Sequence, residues 1–215
     1  MRIFLDTGNI EAIKKGVDSG LITGVTTNPT HIMKTGRKFL DVVTDICAIV
    51  PGPVSVEAMA ESAEDLIEEA KKISTLASNI AVKIPMTVEG LKAVPILTKE
   101  YNIKTNVTMV FSSTQAFLAM MAGSTFVSLV LSRLDAIANE SDILTEDAVL
   151  IKHNYGFKSE VLAASLKTQN HVLLALRSGV DIISIPDTLF FQMYKHPLTD
   201  AGLNQFKNDW IDVPK

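Results

Sequence analysis

Short runs of β-branched and apolar residues alternate along the chain with longer stretches whose apolar positions recur every three or four residues. The short runs are RIFLD (2–6), ITGVTTN (22–28), PVSVEA (53–58) and NIAVKIP (79–85), followed by KTNVTMVF (104–111), TFVSLVL (125–131), EVLAAS (160–165) and DIISIP (181–186). Such runs suit strands of a parallel sheet that is covered on both faces. Between them, SAEDLIEEAKKISTLA (62–77) sets Leu66, Ala70 and Ile73 on one face and acids on the other, the pattern of an amphipathic helix. Ser62 with Asp65 three residues on adds a weak capping box. Helices are also predicted over 87–100, 112–122, 143–154 and 168–178. Two short ones, DTLFFQMYK and TDAGLNQFKNDW, form an extension over about 187–211.

Eight strand–helix units in series predict an α/β protein, a closed (β/α)8 TIM barrel forming a single domain over residues 1–215. An open doubly wound sheet is the alternative, but no Gly-rich dinucleotide turn follows any of the strands. No Pro-, Gly- or Ser-rich linker interrupts the series.

Composition narrows the function classes. The chain is 47% hydrophobic and 20% charged, which excludes a disordered protein. Its net charge of −4 argues against nucleic acid as a partner. No apolar stretch has the 18 or more residues of a membrane helix, and the N-terminus runs straight into strand and helix without a signal-peptide pattern. Cys47 stands alone on an apparent helix, so neither a disulfide nor a zinc framework is expected and the reading is cytoplasmic. His31, His153, His171 and His196 are scattered, with no pair at metal-ligand spacing; structural or surface roles are expected of them, and no metal.

One residue breaks the pattern of the fourth strand. In NIAVKIPMT (79–87), Lys83 stands among Ile80, Ala81, Val82 and Ile84. An unpaired ammonium is costly to bury. Either Lys83 snorkels to water from the strand's end, or it serves as an amine nucleophile for a carbonyl carbon. Position on a barrel bears on the choice, because barrel chemistry sits where the strands end. Those ends carry Asp6, Thr26, Thr27, Asn28, Glu57, Lys83, Asn106, Thr108, Arg133, Ser165 and Lys167. Each has an ordinary explanation: Asp6 and Asn28 as turn or cap residues, Glu57 as a solvated carboxylate, Thr26 and Thr27 as β-formers. Gathered at one mouth, they suit proton transfer around a covalent carbonyl adduct.

The blocks FLDT, GVTTNPT, VKIPMTVEGL, NVTMVFSSTQA, SRLD, AASLKT and the terminal KHPLTDAGLNQFKNDW occur in order over nearly the whole chain. Together they resemble the small transaldolase and fructose-6-phosphate aldolase family. The resemblance implies that Lys83 forms the Schiff base with a ketose and that Asp6 is the base for its C4 hydroxyl. Glu57 and Thr108 would hold the catalytic water; Thr26, Asn28 and Asn106 would bind sugar hydroxyls. Arg133, Ser165 and Lys167 would grip a terminal anion, and no metal or organic cofactor is implied. Glu57 is transaldolase-like, since the aldolases of this group that resemble the chain place Gln there. The resemblance also implies a homo-oligomer, a pentamer or decamer, built through the C-terminal helix.

Departures from the family pattern fall at Leu129, Val130 and Ser132, and at Asp187 after Pro186. Val130 stands where an aromatic normally borders the catalytic water. Ser132 adds a hydroxyl beside Arg133, which suits a phosphate or a different anion such as a sulfonate; a neutral packing change is the plain alternative. The expected function is a transaldolase moving a dihydroxyacetone unit from an anion-bearing ketose to an aldehyde. One alternative is an aldolase releasing free dihydroxyacetone. Another, from a different class, is a non-catalytic barrel that binds sugar phosphates; the Asp6–Glu57–Lys83 set weighs against it, because binding alone needs no nucleophile.

Overall fold

In the computed structural model, which describes residues 1–214, eight parallel strands close on themselves in sequence order. They are β1 (Arg2–Asp6), β2 (Ile22–Thr26), β3 (Val54–Glu57), β4 (Ile80–Pro85), β5 (Thr105–Val110), β6 (Phe126–Val130), β7 (Glu160–Ala164) and β8 (Ile182–Ile185). The seam is β1 against β8, with Arg2 opposite Ile182 and Leu5 opposite Ile185. The expected (β/α)8 barrel is therefore the observed fold.

Helices α1 (Ile10–Asp18), α2 (Pro29–Lys34), α3 (Phe39–Ile49), α4 (Ala63–Ser74), α5 (Val88–Pro95) and α6 (Ser113–Met121) follow the first five strands. After β6 come α7 (Leu131–Asp135) and α8 (Ser141–Tyr155). Helix α9 (Gln169–Ser178) leads into β8, and α10 (Asp187–Gln192) and α11 (Pro197–Asp209) complete the chain. Most strand-to-helix turns end on a polar cap. The side chains of Asn9, Asn28, Ser62, Thr87, Ser112 and Thr168 each accept a backbone N–H from the first turn of their helix, satisfying donors that a helix start otherwise leaves orphaned.

Two element boundaries differ from expectation, each for a local reason. β2 stops at Thr26 instead of reaching 28, because Asn28 turns away to cap α2 and Pro29 fixes the first helical residue. The helix expected over 87–100 breaks into α5 and a wider π turn over Ile96–Glu100. Pro95 sits at the junction, and its missing N–H removes one rung of the ladder.

Successive residues of a strand point to opposite faces, so every second one faces the barrel's interior. At the floor these are Phe4, Ala81, Phe126, Leu162 and Ile182, which form an apolar cluster of their own. Phe4 and Phe126 meet edge to face at 6.3 Å. The Arg2 guanidinium covers both rings and pairs with Glu160, closing the bottom. Gly24, opposite Phe4, is required: a Cβ there would lie 2.5 Å from the Phe4 ring. Outward-facing residues such as Leu5, Val25, Val56, Val82, Val107 and Val127 pack with the helices in the larger core. Cys47 is buried in that core, and burial pushes its thiol up to about 11, so it is an inert packing group.

Helix α11 buries no residue, and Leu198, Leu203, Phe206 and Trp210 are all exposed on it or at its end. Among the described residues no helix is long and apolar enough to cross a membrane.

Candidate active site

Moving two residues up each strand from the apolar floor changes the character of the interior. Phe4 leads to Asp6, Gly24 to Thr26, Ala81 to Lys83, Phe126 to Ser128 and Ile182 to Ser184. Above this layer a cavity of about 590 Å³ opens at the carboxyl ends of the strands. Its wall contains Asp6, Thr26, Asn28, Glu57, Lys83, Thr108, Ser132, Arg133, Ser165 and Lys167, all but one of the residues for which a catalytic or binding role is expected.

The exception is Asn106. It is fully buried, with its Nδ2 donating to Ser55 Oγ at 3.0 Å and its Oδ1 accepting from Ser128 Oγ at 2.7 Å. Asn106 pairs in register with Lys83 and lies beneath the cavity wall as a cross-barrel tie. Its full burial, with each end of the amide engaged by one hydroxyl, corrects the expectation that it stands open at the mouth.

Lys83 does not snorkel. It is 8% exposed, and its Nζ donates to the Thr27 carbonyl at 3.0 Å while lying 3.7 Å from Glu57 Oε2. Glu57 and Lys83 are register partners on β3 and β4, so the sheet itself sets that approach. Thr27 can present its carbonyl because β2 has ended, its own N–H and hydroxyl both going to the Ser55 carbonyl.

Asp6 is held on the facing side. Thr26 Oγ1 donates to Asp6 Oδ1 at 2.8 Å and lies 2.6 Å from Ser184 Oγ. A threonine hydroxyl has a single proton. With that proton given to Asp6, the Ser184 hydroxyl must be the donor to Thr26, forming a short chain that ends on the carboxylate.

The far rim is built from residues in unusual conformations. Met109 (φ 62°) and Ser165 (φ 59°) are both left-handed, a costly state for non-glycine residues that tends to cluster at functional sites. Met109 breaks the β5–β6 register, leaving Thr108 buried at the wall and bringing its own sulfur 3.8 Å from Arg133 Nη1. Ser165 turns its hydroxyl to within 2.7 Å of Ser132 Oγ. Among the described residues, neither Arg133 nor Lys167 has a carboxylate partner. The rim therefore offers two free cations and a hydroxyl pair, a set suited to an anionic head group. Val130 lines the cavity beside them.

His31, expected to be structural or at the surface, instead lines this cavity. Its Nδ1 lies 3.6 Å from Asp6 Oδ1 and 3.5 Å from Asn28 Nδ2. Burial, aided by Lys34, Lys83 and Lys167, lowers its pKa from the ordinary histidine value; Asp6 opposes them. The one available signal was its place three residues after the cap Asn28, on the first turn of α2. A second cavity of about 650 Å³ adjoins the first across Asp6, His31, Lys34 and Lys167, and reaches Asp187. Among the described residues no cluster of three or more His, Cys, Asp or Glu is placed to hold a metal ion.

A closed (β/α)8 barrel whose mouth pairs an interior lysine with carboxylates, opposite a cationic rim, belongs to the class of barrels built for small-molecule chemistry at the strand ends. The comparisons sharpen this. The Transaldolase/Fructose-6-phosphate aldolase family matches residues 3–214. The chain is 48% identical to a "Probable transaldolase" of Caldicellulosiruptor saccharolyticus, over 100% of this chain and 99% of that one. It is 49% identical to one of Aquifex aeolicus, with the same coverage. Among solved structures, thiamine phosphate pyrophosphorylase from Pyrococcus furiosus shares the fold, with a TM-score of 0.58 at 14% identity over 86% of this chain and 85% of that one. The chain belongs to the transaldolase/fructose-6-phosphate aldolase family, as its sequence blocks suggest, and is an enzyme of the transaldolase type.

Proposed function

We propose that the protein is a cytoplasmic transaldolase that moves a dihydroxyacetone unit from an anion-bearing ketose to an aldehyde through a Schiff base on Lys83. The observation that carries this reading is the nearly buried Lys83 amine, 3.7 Å from the Glu57 carboxylate and in one cavity with Asp6. A lysine anchored in this way can meet a carbonyl carbon in a largely water-excluded site.

In this mechanism Lys83, once its proton has passed to Glu57 through a water shared with Thr108, adds to the C2 carbonyl of the ketose. Glu57, through the same water, donates and accepts the protons that expel the C2 oxygen as water. The resulting iminium draws electrons from the C3–C4 bond while Asp6 takes the C4 hydroxyl proton. The bond breaks, an aldehyde leaves, and a neutral three-carbon enamine remains on Lys83. An acceptor aldehyde is then attacked by the enamine carbon, its oxygen is reprotonated, and hydrolysis of the new iminium frees the product. Thr26 and Asn28 would hold sugar hydroxyls. The terminal phosphate or sulfonate would lie on Arg133, Lys167 and the Ser132–Ser165 pair.

The second reading, an aldolase that releases free dihydroxyacetone, draws on Val130. An aliphatic side chain confines water at the cavity wall less than an aromatic does; water there can deliver a proton to the enamine carbon, and hydrolysis of the resulting iminium then frees dihydroxyacetone and the Lys83 amine. Borohydride treatment with a ketose donor tests the chemistry. A reduced three-carbon adduct on Lys83, absent from a folded Lys83→Met variant, is the expected result; an adduct on another lysine, or an active Lys83→Met enzyme, rejects it. Free dihydroxyacetone measured beside transferred product decides between the two readings.

We also propose that the protein works as a homo-oligomer, a pentamer or decamer. The support is α11, whose Leu203 and Phe206, with Trp210 at its end, are exposed among the described residues. Light scattering of the wild type, and of a Phe206→Glu/Trp210→Glu variant expected to dissociate, tests this.

A further inference from the structure

His31 takes no part in the mechanism above, yet its ring is beside the carboxylate that must receive a proton. We propose that His31 holds the C4-hydroxyl proton between the two halves of the transfer reaction, taking it from Asp6 when the first aldehyde leaves and returning it through Asp6 to the acceptor. This rests on the Schiff-base reading of Lys83. It makes His31 a positioning and proton-holding residue that acts through Asp6 and touches no reacting atom itself.

The geometry supplies a ready acceptor. Asn28 Oδ1 is committed to the His31 backbone N–H at 2.9 Å, so the group facing His31 Nδ1 at 3.5 Å is the Asn28 amide nitrogen. That nitrogen has protons and no free lone pair. The contact is therefore a hydrogen bond only if Nδ1 is unprotonated in the resting enzyme. The same Nδ1 lies 3.6 Å from Asp6 Oδ1, the oxygen that also accepts from Thr26. That separation is beyond a direct hydrogen bond, so a proton arriving on Asp6 reaches the acceptor nitrogen through one water or a small closing of the gap.

Charge makes the transfer conditional on the stage of the reaction. Burial and the positive charges of Lys34, Lys83 and Lys167 lower the His31 pKa and favour its neutral form, while Asp6 opposes them. Glu11, Arg37 and Asp187 line the adjoining cavity that His31 also borders. While Lys83 carries an iminium, its positive charge still opposes an imidazolium. Cleavage of C3–C4 turns the iminium into a neutral enamine, and that opposition disappears. The balance is closed: the C4–O–H proton passes to Asp6 and then to Nδ1, the C3–C4 electron pair becomes the enamine, and one positive charge moves from Lys83 to His31. With its carboxylate restored and paired to imidazolium, the site holds the proton where the next aldehyde oxygen can recover it.

The test compares wild type with His31→Leu and His31→Ala, using the reduced Lys83 adduct as a separate measure of Schiff-base formation. Expected are near-normal adduct formation, a kcat for transfer lower by roughly 10- to 100-fold, at or below the low end of what a directly acting acid–base group contributes, and little change in donor KM. Wild-type kcat should fall as pH drops through the lowered His31 pKa, because a resting imidazolium has no room for the second proton. In His31→Leu that acid limb should move to lower pH. Added imidazole should restore part of the rate in His31→Ala. Unchanged kcat and acid limb in the variants overturn the proposal, as does a loss of rate that leaves the acid limb in place and is not rescued by imidazole. If the wild type forms no adduct on Lys83, the Schiff-base reading falls and this inference falls with it; an adduct on Lys83 with an unaltered His31 profile rejects the inference alone.

Discussion

Glu57 Oε2 stands 3.7 Å from Lys83 Nζ across the β3–β4 ladder, while the lysine's hydrogen bond goes to the Thr27 carbonyl at 3.0 Å. The separation exceeds a direct hydrogen bond, so the carboxylate is near enough to exchange protons through one water and is not locked to the amine. Glu57→Gln keeps the shape and removes the proton carrier. Transfer kcat is expected to fall by roughly 100-fold with donor KM within a few-fold of wild type. Steady-state kinetics checks this, and equal activity in the variant would remove Glu57 from the proton path.

Arg133→Ala should weaken use of anionic ketoses by about 2 to 4 kcal/mol, roughly 30- to 800-fold in kcat/KM, mainly through KM. Arg133→Lys should not restore it, because an ammonium cannot reproduce the guanidinium fork. A ketose without the terminal anion should be little affected. Comparable losses for both substrate types would place the anion elsewhere.

Val130 lines the cavity close to the Ser132–Arg133 rim. The wild type is expected to leak detectable free dihydroxyacetone during transfer, and Val130→Phe to lower the ratio of free to transferred product. If the ratio is the same with acceptor present, position 130 is ordinary packing.

Gly90 tests how the fold positions the lysine. A Cβ at Gly90 would lie 2.1 Å from the Pro85 carbonyl oxygen and 3.1 Å from Ile84 Cγ2, both at the end of the strand that carries Lys83. A backbone oxygen yields only if the strand end moves. Gly90→Ala should cost about 1 to 3 kcal/mol, or roughly 2 to 12 °C in melting temperature for a domain of this size, and should slow adduct formation on Lys83. Thermal melts and trapping kinetics check both halves; a variant with unaltered melting and trapping would show that the contact relaxes without moving the strand.

Much of the architecture was legible because strand periodicity is a local property. Phe4 then Asp6, Ala81 then Lys83, and Ser55 then Glu57 can each be read as sharing one face from spacing alone. Depth along the barrel cannot be read that way, since it depends on how neighbouring strands are staggered. Asn106 was therefore expected at the mouth and lies below it. His31 reads from sequence as a structural or surface residue, because its direction depends on where β2 stops, and that is decided by Asn28 capping α2. The π turn after Pro95 was hidden by an apolar pattern that continues through it. For α11, the sequence places Phe206 and Trp210 on or beside a helix but carries no information on whether the barrel would cover them.

The β1–β8 seam has a consequence for the chain's birth. Arg2–Leu5 find their second neighbour only in Ile182–Ile185, so during synthesis that edge of β1 has no partner until β8 has left the ribosome. At about 5 to 20 residues per second the wait is on the order of 10 to 40 seconds. Throughout it, the nascent sheet offers open backbone at β1 and at its growing margin, the kind of edge on which strands of other chains can pair. Docking of β8 removes both edges in one event, so the nascent chain should be most vulnerable to aggregation and proteolysis just before its last strand emerges.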